Sequence, residues 1–154
     1  MEAVATAQVR ERVRTLGDVL LHPVALVALA ALLLNDHYLK HHFHGLIPGK
    51  LSDVAGLVFF PLLLMAIAEG ARKLARVEPW ALSRMGLAVC IGITALVYVA
   101  VKASPDMATV YSHALGFLGQ SSIRVRADLT DLLALPSLAL ARHIGMMVQR
   151  RSSA

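Results

Sequence analysis

Four blocks of apolar residues dominate the chain and are separated by charged connectors. They lie at about 19–34, 54–68, 85–101 and 129–148. The first three blocks are somewhat shorter than the roughly 20 residues that cross a 30 Å hydrocarbon core, a deficit that flanking residues and snorkelling basic side chains make up. The pattern predicts an all-α polytopic membrane protein with four transmembrane helices paired as two hairpins. The fourth block contains Asp131, Arg142 and His143 and gives the weakest signal.

Two of the three connectors carry the pattern of an amphipathic helix lying at the membrane interface. In the first, Asn35 or Asp36 is suited to the N-cap, and the Pro48-Gly49 pair predicts the helix end. In the second, Ser104 is suited to the N-cap and Pro105 to the first helical position. We therefore expect two extracytoplasmic interfacial helices between the spans.

Both of these connectors end in the same short motif. Leu51-Ser52-Asp53 opens the second block and Leu129-Thr130-Asp131 opens the fourth, and basic residues precede each motif. The order of span, interfacial helix, cation, Leu-Ser/Thr-Asp and span thus occurs twice. It predicts a single membrane domain over residues 1–154 with half-repeats at about 16–70 and 84–150, parallel about an axis along the membrane normal.

Composition and charge agree with a membrane protein. The chain is 57% hydrophobic and only 16% charged, with a mean hydropathy of +0.65. Ten of its 15 Lys and Arg residues lie in the N-terminal tail, the connector at 69–84 and the C-terminal end from Arg142 onward, against five in the other two connectors. The positive-inside rule therefore predicts a plasma (inner) membrane protein with both termini cytoplasmic. No basic stripe with interleaved aromatic residues is present, which argues against nucleic acid as a partner.

The charged and hydroxyl residues of the outer connectors form the candidate site for an ion or ligand. They are Asp36, Lys40, Lys50, Ser52, Asp53, Lys102, Arg124, Thr130 and Asp131. Ionisable groups at membrane depth are expensive, so they pair with one another or line a cavity. We expect Asp53 and Asp131 each to contact a basic side chain. The alternative is that Ser52-Asp53 and Thr130-Asp131 only cap the starts of two helices.

Three histidines form a second candidate site in the first outer connector. His37, His41 and His44 are spaced i, i+4, i+7 and would share one helical face. Such a face can hold zinc or another metal that imidazole binds, with Asp36 or a water as the fourth ligand. The alternative is a solvated face at the lipid headgroups, and Lys40 on the same side opposes a cation. No other pattern predicts a cofactor.

The first half of the chain carries a recognisable motif. "NDHYLK" followed by "GKLSDVAGLVFFPLLL" resembles an uncharacterised family of small bacterial multi-span membrane proteins, whose motif is Asn-Asp, Leu-Lys and Gly-Lys-Leu-Ser-Asp-x-Ala-Gly-Leu. The resemblance implies a bacterial membrane protein and no particular reaction.

Three functions remain open on the sequence. The first is binding or permeation of a small solute or ion at the outer polar residues. The second is a non-catalytic accessory or assembly protein whose partner is a second copy or another membrane protein. The third is a membrane-embedded enzyme acting on lipid or envelope substrates, which is disfavoured because the chain has no nucleotide loop, nucleophile elbow or zinc-protease helix.

Overall fold

The fold is built from helices packed side by side. The structure, a computed structural model, describes residues 15–35, 38, 46–117 and 127–151. In chain order its elements are α1 (Pro23–Leu34), α2 (Leu46–Leu74), α3 (Arg84–Ala103), α4 (Pro105–Phe117), a 3₁₀ helix (Leu129–Ser137) and α5 (Leu138–Arg151). Over the described ranges every regular element is a helix, which confirms the predicted all-α class.

Three segments are long and apolar enough to cross a membrane. They are Gly49–Leu74, Arg84–Ala103 and the continuous stretch Leu129–Arg150. The helix α1 is apolar but only 12 residues long, about 18 Å at 1.5 Å per residue. Three helices able to cross a membrane are therefore confirmed over the described residues, while the fourth span and the repeat of two hairpins stay predictions.

One predicted helix boundary in the first outer connector is wrong, and one of the two candidate N-caps there is ruled out. The helix α2 begins at Leu46 and continues through Pro48 and Gly49. A proline in the first turn removes an N–H that has no intrahelical partner, so the helix tolerates it. Asn35 is not an N-cap, because its backbone is helical and its N–H bonds to Ala31 at the end of α1. The alternative N-cap, Asp36, lies outside the described residues.

The predicted start of the second interfacial helix is confirmed. Ser104 has an extended backbone, and its hydroxyl accepts a hydrogen bond from the Met107 N–H at 3.4 Å. Pro105 follows as the first residue of α4. The cap and the proline together fix where the chain leaves α3 and turns into α4.

The core lies around α2, which packs against α1, α3, the 3₁₀ helix and α5. Its fully buried residues include Leu62 and Met65, and they meet Leu87 of α3 and Ile144 of α5. Where α3 crosses α5, a Cβ on Gly145 would lie 2.6 Å from a methyl carbon of Leu87. Glycine thus permits the close approach of these two helices.

The antiparallel course of α2 and α3 gives the bundle two chemically different ends. The start of α2, the end of α3 and the start of the 3₁₀ helix meet at one end, where Lys102 contacts Asp53 and Asp131. At the other end the connector at 75–83 lies against Glu69 and Gln149. The end that contains Lys102, Asp53 and Asp131 is named the cluster end, and the end that contains the connector at 75–83 is named the connector end.

Candidate functional site

One lysine joins both of the predicted aspartates. The Lys102 Nζ atom lies 2.9 Å from Asp53 Oδ2 and 2.6 Å from Asp131 Oδ2. The three side chains are only 11%, 16% and 14% exposed, respectively. The expectation that each aspartate contacts a basic residue is confirmed, and a single ammonium serves both. These three residues, with Lys50, Thr130 and Tyr98, are called the Lys102 cluster.

A second lysine, Lys50, lies at the solvent-exposed edge of the cluster. The Lys50 Nζ atom donates to the Thr130 hydroxyl at 3.2 Å and to the Thr130 carbonyl oxygen at 3.3 Å. It lies 3.8 Å from Asp131 Oδ1 and its side chain is 42% exposed. Its ion pair is therefore longer and better screened by solvent than those of Lys102. The two lysines balance the two carboxylates in formal charge.

Tyr98 completes the cluster and was not among the candidate residues. Its hydroxyl donates to the Asp131 carbonyl oxygen at 2.7 Å, and the Lys102 Nζ atom lies 5.6 Å from the centre of its ring. Tyr98 and Lys102 are four residues apart on α3, so they lie on one helical face. That spacing was the available signal. The tyrosine holds the backbone carrying Asp131 against α3.

The interpretation of Ser52-Asp53 as a helix cap is wrong. Both residues lie two turns inside α2, where backbone amides bond within the helix. The 3₁₀ helix is capped by Asp128, whose Oδ1 atom accepts from the Thr130 N–H at 2.9 Å, and Asp131 lies in its first turn. That bond lowers the pKa of the Asp128 carboxyl. Asp53 and Asp131 therefore share a lysine although the backbones around them differ.

The other predicted site residues lie outside the described part of the chain. They are Asp36, Lys40, Arg124, His37, His41 and His44. Within the described residues no group of three His, Cys, Asp or Glu side chains is placed to hold a metal ion. A histidine metal site in the first outer connector stays a prediction.

The connector end holds a second polar arrangement that sequence reasoning missed. Glu69 of α2 is 1% exposed, and its Oε1 atom accepts from the Leu82 N–H at 3.0 Å. The Gln149 side chain of α5 donates to the Leu82 carbonyl oxygen at 3.1 Å. Both backbone groups of Leu82 are thus satisfied by side chains from two different helices. Glu69 follows an apolar run directly, which was the available signal.

Asn35, one of the two candidate N-caps, is instead a buried polar residue at the end of α1. Its side chain is fully buried at the end of α1. Neither the oxygen nor the nitrogen of its amide has a hydrogen-bond partner within the part of the chain that the structure describes. An amide buried in this way is expensive, at about 1–3 kcal/mol for each group left unpaired.

Comparison with known proteins finds no match for this chain among family models, curated proteins or solved structures. The resemblance of the first half to a family of small bacterial membrane proteins therefore stays a prediction.

Proposed function

We propose that this protein is a four-span bacterial inner-membrane protein that binds a small monovalent cation at the Lys102 cluster. The observation that carries the proposal is the position of the Lys102 ammonium between Asp53 and Asp131. Two carboxylates converging on one cationic centre form a cation site. In the described state the protein fills that site with a cation of its own.

The chemistry of the surrounding atoms supports an exchange between this ammonium and an ion. Carboxylate oxygens of Asp53 and Asp131 approach from opposite elements, and the Thr130 hydroxyl lies on the rim beside Lys50. Oxygen donors suit hard cations. If Lys102 releases its proton to solvent as the ion enters, a monovalent ion leaves the net charge of the cluster unchanged. A divalent ion would add an uncompensated charge in an apolar setting.

The path of the first helix supports a fourth span. Leu16 packs beside Gly70 near the connector end, with methyl carbons 3.8 Å and 4.0 Å from where a Cβ on Gly70 would stand. From there the chain continues through α1, which packs on α2. With residues 15–22 added, the segment is longer than α1 alone. We propose that it crosses the membrane, which places both termini in the cytoplasm and the Lys102 cluster outside.

Direct cation binding tests the proposal. The purified protein in an uncharged detergent is titrated with Na⁺, K⁺ and Mg²⁺ by isothermal calorimetry. We expect one monovalent ion to bind. Its affinity should increase as the pH rises, because the ion competes with the proton on Lys102 for the carboxylates of Asp53 and Asp131. Lys102→Met should bind the ion at least tenfold more tightly, since the competing ammonium is gone. Asp131→Asn combined with Lys102→Met should abolish this gain. Absence of ion binding in both the wild type and Lys102→Met would refute the site.

A second candidate function is favoured by the outer face of α3. Ala88 and Gly92 lie on this face, and a Cβ on Gly92 would meet no atom within 4 Å. Intramolecular packing therefore does not account for the glycine, whereas small residues four apart permit close contact with another transmembrane helix. We propose this face for an assembly role. If Gly92→Leu abolishes a cross-linked dimer that Gly92→Ala retains, assembly through α3 is supported.

A further inference from the structure

The connector between α2 and α3 is folded down onto the end of the bundle. Besides the two bonds to Leu82, the Arg72 guanidinium donates to the Pro79 carbonyl oxygen at 2.7 Å. The Lys73 Nζ atom lies 5.4 Å from the centre of the Trp80 ring. These contacts hold the connector at 75–83 directly beyond the apolar part of α2. Trp and Lys side chains at the end of a span are suited to the headgroup region.

An arginine occupies the position in this connector that the backbone favours for glycine. The helix α2 ends with the Val77 N–H bonded to the Arg72 carbonyl oxygen and the Arg76 N–H bonded to that of Lys73. This is the Schellman arrangement, in which the residue after the cap is left-handed and is usually glycine. Arg76 adopts that conformation with φ of 56°. A left-handed arginine at an exposed position motivates the hypothesis that its side chain has a function.

The charges around Arg76 have one predominant sign. The basic residues of the connector end that the structure describes are Arg72, Lys73, Arg76, Arg84, Arg150 and Arg151. The acidic residues there are Asp18, Glu69 and Glu78. Glu69 is buried and bonded to Leu82, and the Glu78 carboxylate accepts from the Trp80 N–H at 3.3 Å. The surface that faces outward from the connector is therefore positively charged.

We propose that the connector end binds the headgroups of anionic phospholipids, with Arg76 at its centre and Lys73, Trp80 and Arg84 beside it. The partner follows from charge complementarity, since an apolar helix end delivers these cations to the level of the lipid phosphates. A basic residue near an anionic lipid surface contributes a several-fold preference.

Lipid competition tests this surface, and it is independent of cation binding at the other end. The protein is delipidated in an uncharged detergent and mixed with equal amounts of phosphatidylglycerol and phosphatidylcholine. Native mass spectrometry then counts the bound lipids. We expect phosphatidylglycerol to be preferred, and Arg76→Ala and Arg76→Gly each to reduce the preference about fivefold. Glu78→Gln keeps the acceptor for the Trp80 N–H while removing a negative charge, so it should raise the preference.

Two controls separate headgroup binding from unfolding and from net charge. Arg76→Gly relieves the left-handed strain, so its thermal midpoint should be equal to or above that of the wild type while the lipid preference falls. Arg142→Gln removes the same charge at an exposed site on α5, eight residues before Arg150, and should keep the preference. Equal retention of both lipids by the wild type would overturn the proposal. So would an equal loss of preference in Arg142→Gln and Arg76→Ala.

Discussion

Lys102 and Asp131 form the shortest ion pair among the described residues of the cluster end, with 2.6 Å between Nζ and Oδ2. The pair ties the last turn of α3 to the first turn of the 3₁₀ helix. Because the same ammonium lies 2.9 Å from Asp53 in α2, three helices converge on one cation. The stability of this end of the bundle should therefore depend on how many of these partners remain.

The two aspartates are expected to be energetically coupled through their shared lysine. Asp53→Leu or Asp131→Leu alone leaves the ammonium one carboxylate, whereas the double variant leaves it none. The second substitution should therefore cost more than the first, and the total loss in free energy of unfolding should approach about 3–5 kcal/mol. A double-mutant cycle from thermal or denaturant unfolding in detergent measures the coupling. Strictly additive losses would show that the lysine does not link the two residues.

Asp53→Asn should be tolerated better than Asp53→Leu. The asparagine oxygen can still accept a hydrogen bond from the Lys102 ammonium, but leucine removes the acceptor and the charge. Capping is not the reason, because residue 53 lies inside α2. We expect the asparagine variant to lose about 1–2 kcal/mol less in free energy of unfolding than the leucine variant. Fluorescence-detected size exclusion gives the folded yield. Equal yields and midpoints would contradict this account.

Glu69→Leu should loosen the connector more than Glu69→Gln does. The glutamine oxygen can still accept from the Leu82 N–H, whereas leucine leaves that amide unpaired at a cost of about 1–3 kcal/mol. Hydrogen exchange of the Leu82 amide reports the effect directly. Exchange should accelerate in the leucine variant and stay close to the wild-type rate in the glutamine variant. The same rate in all three proteins would remove Glu69 from its role in holding the connector.

The start of the 3₁₀ helix should weaken in acid because its cap titrates. The Thr130 N–H lowers the pKa of the Asp128 carboxyl below its usual value near 3.8. Since the folded-state pKa lies below the unfolded one, the stabilisation is present above about pH 4 and is lost as the pH falls through the folded value. Asp128→Asn retains an acceptor without a titrating group. We expect the protection of the Thr130 amide, measured by NMR as its exchange rate relative to the intrinsic rate at the same pH, to decrease between about pH 5 and about pH 3 more in the wild type than in this variant.

Cysteine labelling decides the topology. In a Cys90→Ser background, cysteines at positions 15, 78 and 106 are exposed to an impermeant maleimide on intact cells. The positive-inside rule predicts labelling at position 106 and protection at positions 15 and 78. Labelling at position 15 with protection at position 78 would show that the segment containing α1 does not cross the membrane from a cytoplasmic N-terminus. Labelling at 78 would invert the orientation of α3.

The local elements of this protein could be predicted from its sequence. Unbroken apolar runs determine where helices must lie in a membrane, because backbone groups there have to be paired within the segment. The start of α4 followed from Ser104 and Pro105, since a cap is a contact between near neighbours. The membrane class and the basic connector end needed no tertiary information either.

The tertiary structure alone decided which charges pair, and it placed the cap of the 3₁₀ helix at a residue that the sequence pattern had not indicated. Several cations were available to Asp53 and Asp131, and only the packing of α2, α3 and the 3₁₀ helix selects Lys102 as the common partner. The cap at the 3₁₀ helix moved to Asp128, because the chain there begins a tighter helix than the α-helix expected. The contacts of Lys102 with Asp131 and Asp53 span 29 and 49 residues of sequence, and they depend on how the helices cross. The pattern of residues along one helix carries no information about how the neighbouring helix is rotated.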